Sequence, residues 1–148
     1  MDTRFKPAYD KVSVRHPVLV MLVAAFVVLG FAVLMGAALA VLHLHSQTGA
    51  AASWPIAPWP LVALHGLAGV GGLICLVLTL RGPPRGLAQG TASFGAIGAT
   101  LIALAALAGG GILAARLRNR RPAGALIGVH AALAVSGFVV LAAYLLVG

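Results

Sequence analysis

Carboxylates are almost absent from this chain: its two acidic residues, Asp2 and Asp10, both stand in the first ten positions. The apolar remainder offers no acid for a proton relay or cation pathway, which membrane proteins build around such groups. That argues against an ion-coupled transporter. Cysteine occurs once, as Cys75 inside an apolar run. No internal disulfide can form, and the thiol reads as a small core or lipid-facing group. Charged residues make up 8% of the chain, against about 25% in soluble domains. Such a chain cannot cover itself with a polar surface. No nucleophile paired with a base and no phosphate-binding loop is present, so a stand-alone enzyme is not expected.

What fills the sequence is apolar. Hydrophobic residues are 61% of its 148 positions, and the mean hydropathy is +1.08. Long apolar runs alternate with short basic segments, and the expectation is an all-α membrane protein, a bundle of four transmembrane helices forming one membrane domain. The spans are placed at about residues 18–44, 60–80, 92–115 and 123–147, each long enough for ~30 Å of hydrocarbon. Residues 1–16 read as a basic tail with Arg4, Lys6, Lys11 and Arg15. Pro17 suits the first turn of a helix, and the run from Pro17 to Leu42 is too long for a signal peptide. Residues 45–59, with Trp54 and Trp59 among prolines, read as a loop in the headgroup region. Arg81-Gly82-Pro83-Pro84-Arg85 breaks the second helix. Arg116-Leu117-Arg118-Asn119-Arg120-Arg121-Pro122 forms a tight basic turn after the third.

The net charge of +8 follows these boundaries, which points to membrane topology rather than to nucleic acid. Six Lys or Arg on one side (Arg4, Lys6, Lys11, Arg15, Arg81, Arg85) face four on the other (Arg116, Arg118, Arg120, Arg121). The count favours both termini in the cytoplasm, and the composition favours a bacterial inner membrane.

Histidines are the side chains inside the spans that could ligate a metal as a pair. On this topology His43, His45, His65 and His130 fall in or near the outer leaflet, and His16 lies at the opposite face. The second and fourth spans also match each other when His65 is set against His130. Leu61 then pairs with Leu126, Val70 with Val135, Gly72 with Gly137, Leu76 with Leu141 and Leu80 with Leu145, giving six identities in twenty positions with the histidines. Less clearly, Met35-Gly36-Ala37-Ala38 aligns with Ala108-Gly109-Gly110-Gly111, and His43-Leu44-His45 with Arg116-Leu117-Arg118. Two parallel hairpin repeats about an axis along the membrane normal would follow, with His65 and His130 facing each other at equal depth.

Two facing imidazoles can ligate one haem iron from both sides. His65 shares its helix face with Gly69 and Gly72, and His130 with Ala134 and Gly137. Those small residues would make room for a flat macrocycle, or would serve ordinary close helix packing. Gly36-Ala37-Ala38 and Gly109-Gly110-Gly111 fall at about the same depth. Arg116 and Arg118 stand where haem propionates would emerge, and arginine suits carboxylates. Lipid phosphate or an acidic subunit is the other use for the arginine turn. His43 and His45 are further candidate metal ligands, one of which could face the bundle and a second cofactor or a quinol.

Haem b is the expected cofactor, since imidazole is its common axial ligand. Bacteriochlorophyll takes one imidazole, but Leu61 and Leu126 occupy the positions one turn earlier, where a small residue suits it. Copper or zinc would need three or four of the histidines to converge. The paired histidines in a bundle loosely resemble the small four-helix membrane cytochromes b, with no signature of a named family. Two functions are weighed: an electron-transfer subunit in contact with a quinol pool, or a cofactor-free structural subunit of a larger respiratory or photosynthetic complex.

Overall fold

The computed structural model describes residues 7–47, 59–82 and 85–147, with side chains of the first helix described over 17–45. These residues form four α-helices: α1 Pro7–Gln47, α2 Trp59–Leu80, α3 Phe94–Leu117 and α4 Gly124–Val147. All four contain a segment long and apolar enough to cross a bilayer. The chain is an all-helical, multi-pass four-helix bundle.

The helix ends follow local chemistry. Three expected spans agree with α2, α3 and α4 to within two residues. Residues 7–16 of the basic tail continue α1 on the N-terminal side of Pro17. Hydropathy marks where the bilayer begins, and a helix can run past that point into polar sequence. The apolar segment of α1 is Pro17–His45, close to the expected 18–44. Most of the tryptophan-proline loop, residues 48–58, lies outside the described residues, as do Pro83 and Pro84; Trp59 opens α2. After α3, Asn119 takes a left-handed conformation (φ 54°). The Arg120 amide then donates to the Ala115 carbonyl at 2.8 Å, and the Asn119 amide to Arg116 at 3.0 Å. This is a Schellman close with Asn in the usual glycine position.

Successive helices run antiparallel. Ala32 meets His65 and Leu29 meets Gly72, so α1 and α2 pair as one hairpin. Ala105 meets His130 and Ile102 meets Gly137, so α3 and α4 pair as the other. Contacts within the hairpins are the most extensive, with smaller and matching contacts between α1 and α4 and between α2 and α3.

The two hairpins bury equivalent positions. Buried Leu22, Ala25, Leu29 and Ala32 of α1 correspond to buried Gly95, Gly98, Ile102 and Ala105 of α3. Buried Gly72, Leu76 and Thr79 of α2 correspond to Gly137, Leu141 and Tyr144 of α4. The correspondence is the one that aligns His65 with His130 and Gly36 with Gly109. Leu22, Leu76 and Leu141 are fully enclosed. Most other large apolar side chains point outward, Leu34, Leu67 and Leu107 among them. That distribution suits a hydrocarbon surround, where apolar side chains have no cause to withdraw from the surface.

Candidate functional site

Each histidine stands six residues after the first residue of its helix, His65 in α2 and His130 in α4. At ~1.5 Å per residue, both lie about 9 Å from the helix start. Both therefore occupy one level, near the end of the bundle where α1 and α3 finish.

Each imidazole is tied to the other helix of its own hairpin. His65 Nδ1 lies 2.9 Å from the Ala32 carbonyl oxygen. His130 Nδ1 lies 2.8 Å from the equivalent Ala105 oxygen. A carbonyl only accepts, so Nδ1 carries the proton in both rings. In a neutral imidazole the lone pair is then on Nε2, the arrangement that metal-ligating histidines use.

Two glycines set the position of the rings. A Cβ at Gly36 would stand 2.9 Å from His65 Cε1, and one at Gly109 would stand 3.0 Å from His130 Cε1. Only a glycine lets each ring lie this close to the facing helix. Among the described residues neither Nε2 has a hydrogen-bond partner, and neither is sealed from access. The rings meet at the centre of the bundle, with centroids 5.8 Å apart and planes at 79°.

The histidines line a cavity of about 590 Å³, within the usual range for small-molecule sites. Its walls are apolar. Apart from the Trp59 indole, the two imidazoles are the polar side chains that line it. Most of the lining comes from α2 and α3, including the outward-facing Trp59, Gly66, Leu67, Val70 and Gly110. The cavity therefore opens sideways between those two helices.

On the α1–α4 side no exposed residue lines the cavity. Phe26 of α1 and Phe138 of α4 stack with centroids 4.7 Å apart and planes 15° apart, and Phe138 reaches over Gly30. In the repeat, Phe26 corresponds to Ala99 and Phe138 to Leu73.

The expected site residues separate into three groups. His65, His130, Gly69 and Ala134 line the cavity. Gly72 and Gly137 do not; a Cβ there would stand 2.7 Å from Leu29 and 2.8 Å from Ile102. They let the helices of each hairpin close on each other. Arg116 and Arg118 are exposed at the end of α3, beyond the cavity-lining Leu113. His45 is exposed and its Nδ1 lies 2.9 Å from the Val41 carbonyl; neither it nor His43 lines the cavity. Among the described residues, no three His, Cys, Asp or Glu side chains converge as a metal cluster.

The residues that sequence reading did not single out are Ala32 and Ala105. They act through backbone oxygens, which leave no trace in residue type. No protein-family model, characterised protein or solved structure matches the chain.

His65 and His130 are the side chains that could hold a metal or tetrapyrrole here: their ring centres are 5.8 Å apart in a cavity with apolar walls.

Proposed function

We propose that this chain is a small membrane b-type cytochrome, an electron-transfer subunit in which His65 and His130 hold one haem near the outer leaflet. The observation that carries the reading is the matched pair of imidazoles. Each has its Nδ1 fixed by a carbonyl and lines an apolar cavity. Bound haem would supply reversible one-electron chemistry at a potential tuned by its axial ligands and burial.

The residues of this chain would do the rest. The carbonyls of Ala32 and Ala105 orient the imidazoles and raise their basicity. Gly36 and Gly109 set the ring positions, and Gly69 and Ala134 leave space at the walls. Arg116 and Arg118, exposed at the end of α3, would meet the propionates. The Lys and Arg distribution supports cytoplasmic termini, and the Ala-, Gly- and Leu-rich composition supports a bacterial inner membrane. Other membrane subunits and a quinol are the partners in keeping with this placement.

A second reading has its own observation. Each histidine–carbonyl bond ties one helix of a hairpin to the other, and a cofactor-free structural subunit would use such ties equally well.

One experiment separates the two. The protein is purified from membranes in mild detergent and reduced-minus-oxidised visible spectra are recorded. Low-spin b-type bands, lost in both His65→Gln and His130→Gln, support the cytochrome. Gln keeps an N–H donor for the carbonyl while removing the imidazole. A protein that stays colourless after haem supplementation overturns the cytochrome reading and favours the structural one.

A further inference from the structure

We infer that the haem site is one-sided: the macrocycle inserts from the bilayer between α2 and α3, while the pseudo-equivalent entrance between α4 and α1 is closed. The inference rests on the haem reading and adds the route and the exposed edge.

A repeat about the bundle axis generates two lateral entrances, one between α2 and α3 and one between α4 and α1. The sequence has made them unequal. At the histidine level Ala106 stands for Val33, Gly110 for Ala37 and Gly66 for Ala131, smaller in each case on the α2–α3 side, while Trp59, Leu67 and Leu113 are larger there than Gly124, Ala132 and Ala40.

The cavity opens on that side, whereas its lining residues from α1 and α4 are all buried or half-buried; the Phe26–Phe138 stack lies deeper, Phe138 being eight residues past His130. At the open mouth, a Cβ on Gly66 or Gly110 would meet nothing within 4 Å. These glycines are not needed for helix contact, and their effect is to leave the mouth wide. No charged side chain lines the cavity, and exposed Leu67 and Val70 line its outer edge. What passes this mouth must come from the hydrocarbon phase. A flat, largely apolar macrocycle meets that condition and would come to lie between the two imidazoles.

The test fills each entrance in turn in the full-length protein. Gly66→Leu and Gly110→Leu place side chains in open space at the α2–α3 mouth. Ala131→Leu and Ala37→Leu are their counterparts on the α4–α1 side. Each purified variant is titrated with ferric haem, with binding followed by the Soret band and folding by circular dichroism.

The first pair is expected to weaken haem binding at least about tenfold with helicity unchanged, and the second pair to stay within about twofold of the wild type. Equal losses from both pairs, or a loss confined to the α4–α1 pair, would overturn the inference while leaving the haem reading intact. A wild type that binds no haem would remove both together. If a leucine variant does not fold, Gly66→Val and Gly110→Val give the same comparison with shorter side chains.

Discussion

The ring centres of His65 and His130 stand 5.8 Å apart with their planes at 79°. Near-perpendicular axial imidazoles leave two iron d orbitals close in energy. The oxidised holoprotein should therefore give a strongly anisotropic low-spin EPR signal in frozen solution. A rhombic signal would show that the rings turn toward parallel on ligation.

Gly36 and Gly109 should be intolerant of even a methyl group. A Cβ at either would press on an imidazole edge at 2.9 or 3.0 Å, and the ring cannot withdraw without losing its carbonyl bond. Gly36→Ala and Gly109→Ala are each expected to lower haem affinity by about tenfold, which corresponds to about 1.4 kcal/mol. Gly71→Ala is the control, because its Cβ would meet nothing within 4 Å and Gly71 does not line the cavity. Haem titration of the three variants checks this, and equal losses would remove the special role of the ring contacts.

Gly72 and Gly137 should matter for stability rather than for the cofactor. Their missing side chains admit Leu29 and Ile102, and overpacking of this kind costs about 1–3 kcal/mol. Gly72→Ala and Gly137→Ala should lower the thermal midpoint in detergent, even in haem-free protein. In the double variant Gly72→Ala/Leu29→Ala, the removed side chain should recover part of the loss. An unchanged midpoint would show that the hairpins adjust without cost.

Arg116 and Arg118 are exposed and stand at the histidine end of the bundle. Replacing both by Gln should weaken haem binding by about three- to tenfold, as loss of charge-assisted contacts to carboxylates implies. Esterified haem, which lacks the propionate charges, should bind the wild type and the variant alike. An equal loss with both haems would assign the arginines to lipid or subunit contacts instead.

The fold was largely legible from the sequence because bilayer length and apolar runs constrain each other tightly. The start of α1 was not, since the helix continues into polar residues that hydropathy treats as tail. The histidine pair and the level of Gly36 and Gly109 were legible from the repeat. Gly72 and Gly137 share a helix face with the histidines, but they sit deeper, where the hairpins close, so packing takes them. The cavity's one-sidedness depends on which helices are neighbours. Gly66 and Gly110 come together at one mouth only because α2 lies against α3, which residue type does not reveal.

The most direct test is a stoichiometric titration of haem-free, full-length protein with ferric haem in detergent, for the wild type, His65→Ala and His130→Ala. The proposal requires saturation at one haem per chain with a six-coordinate low-spin spectrum, changing in each variant to a five-coordinate high-spin species of lower affinity. Failure to saturate, or a wild-type spectrum retained in either variant, would contradict ligation by these two histidines.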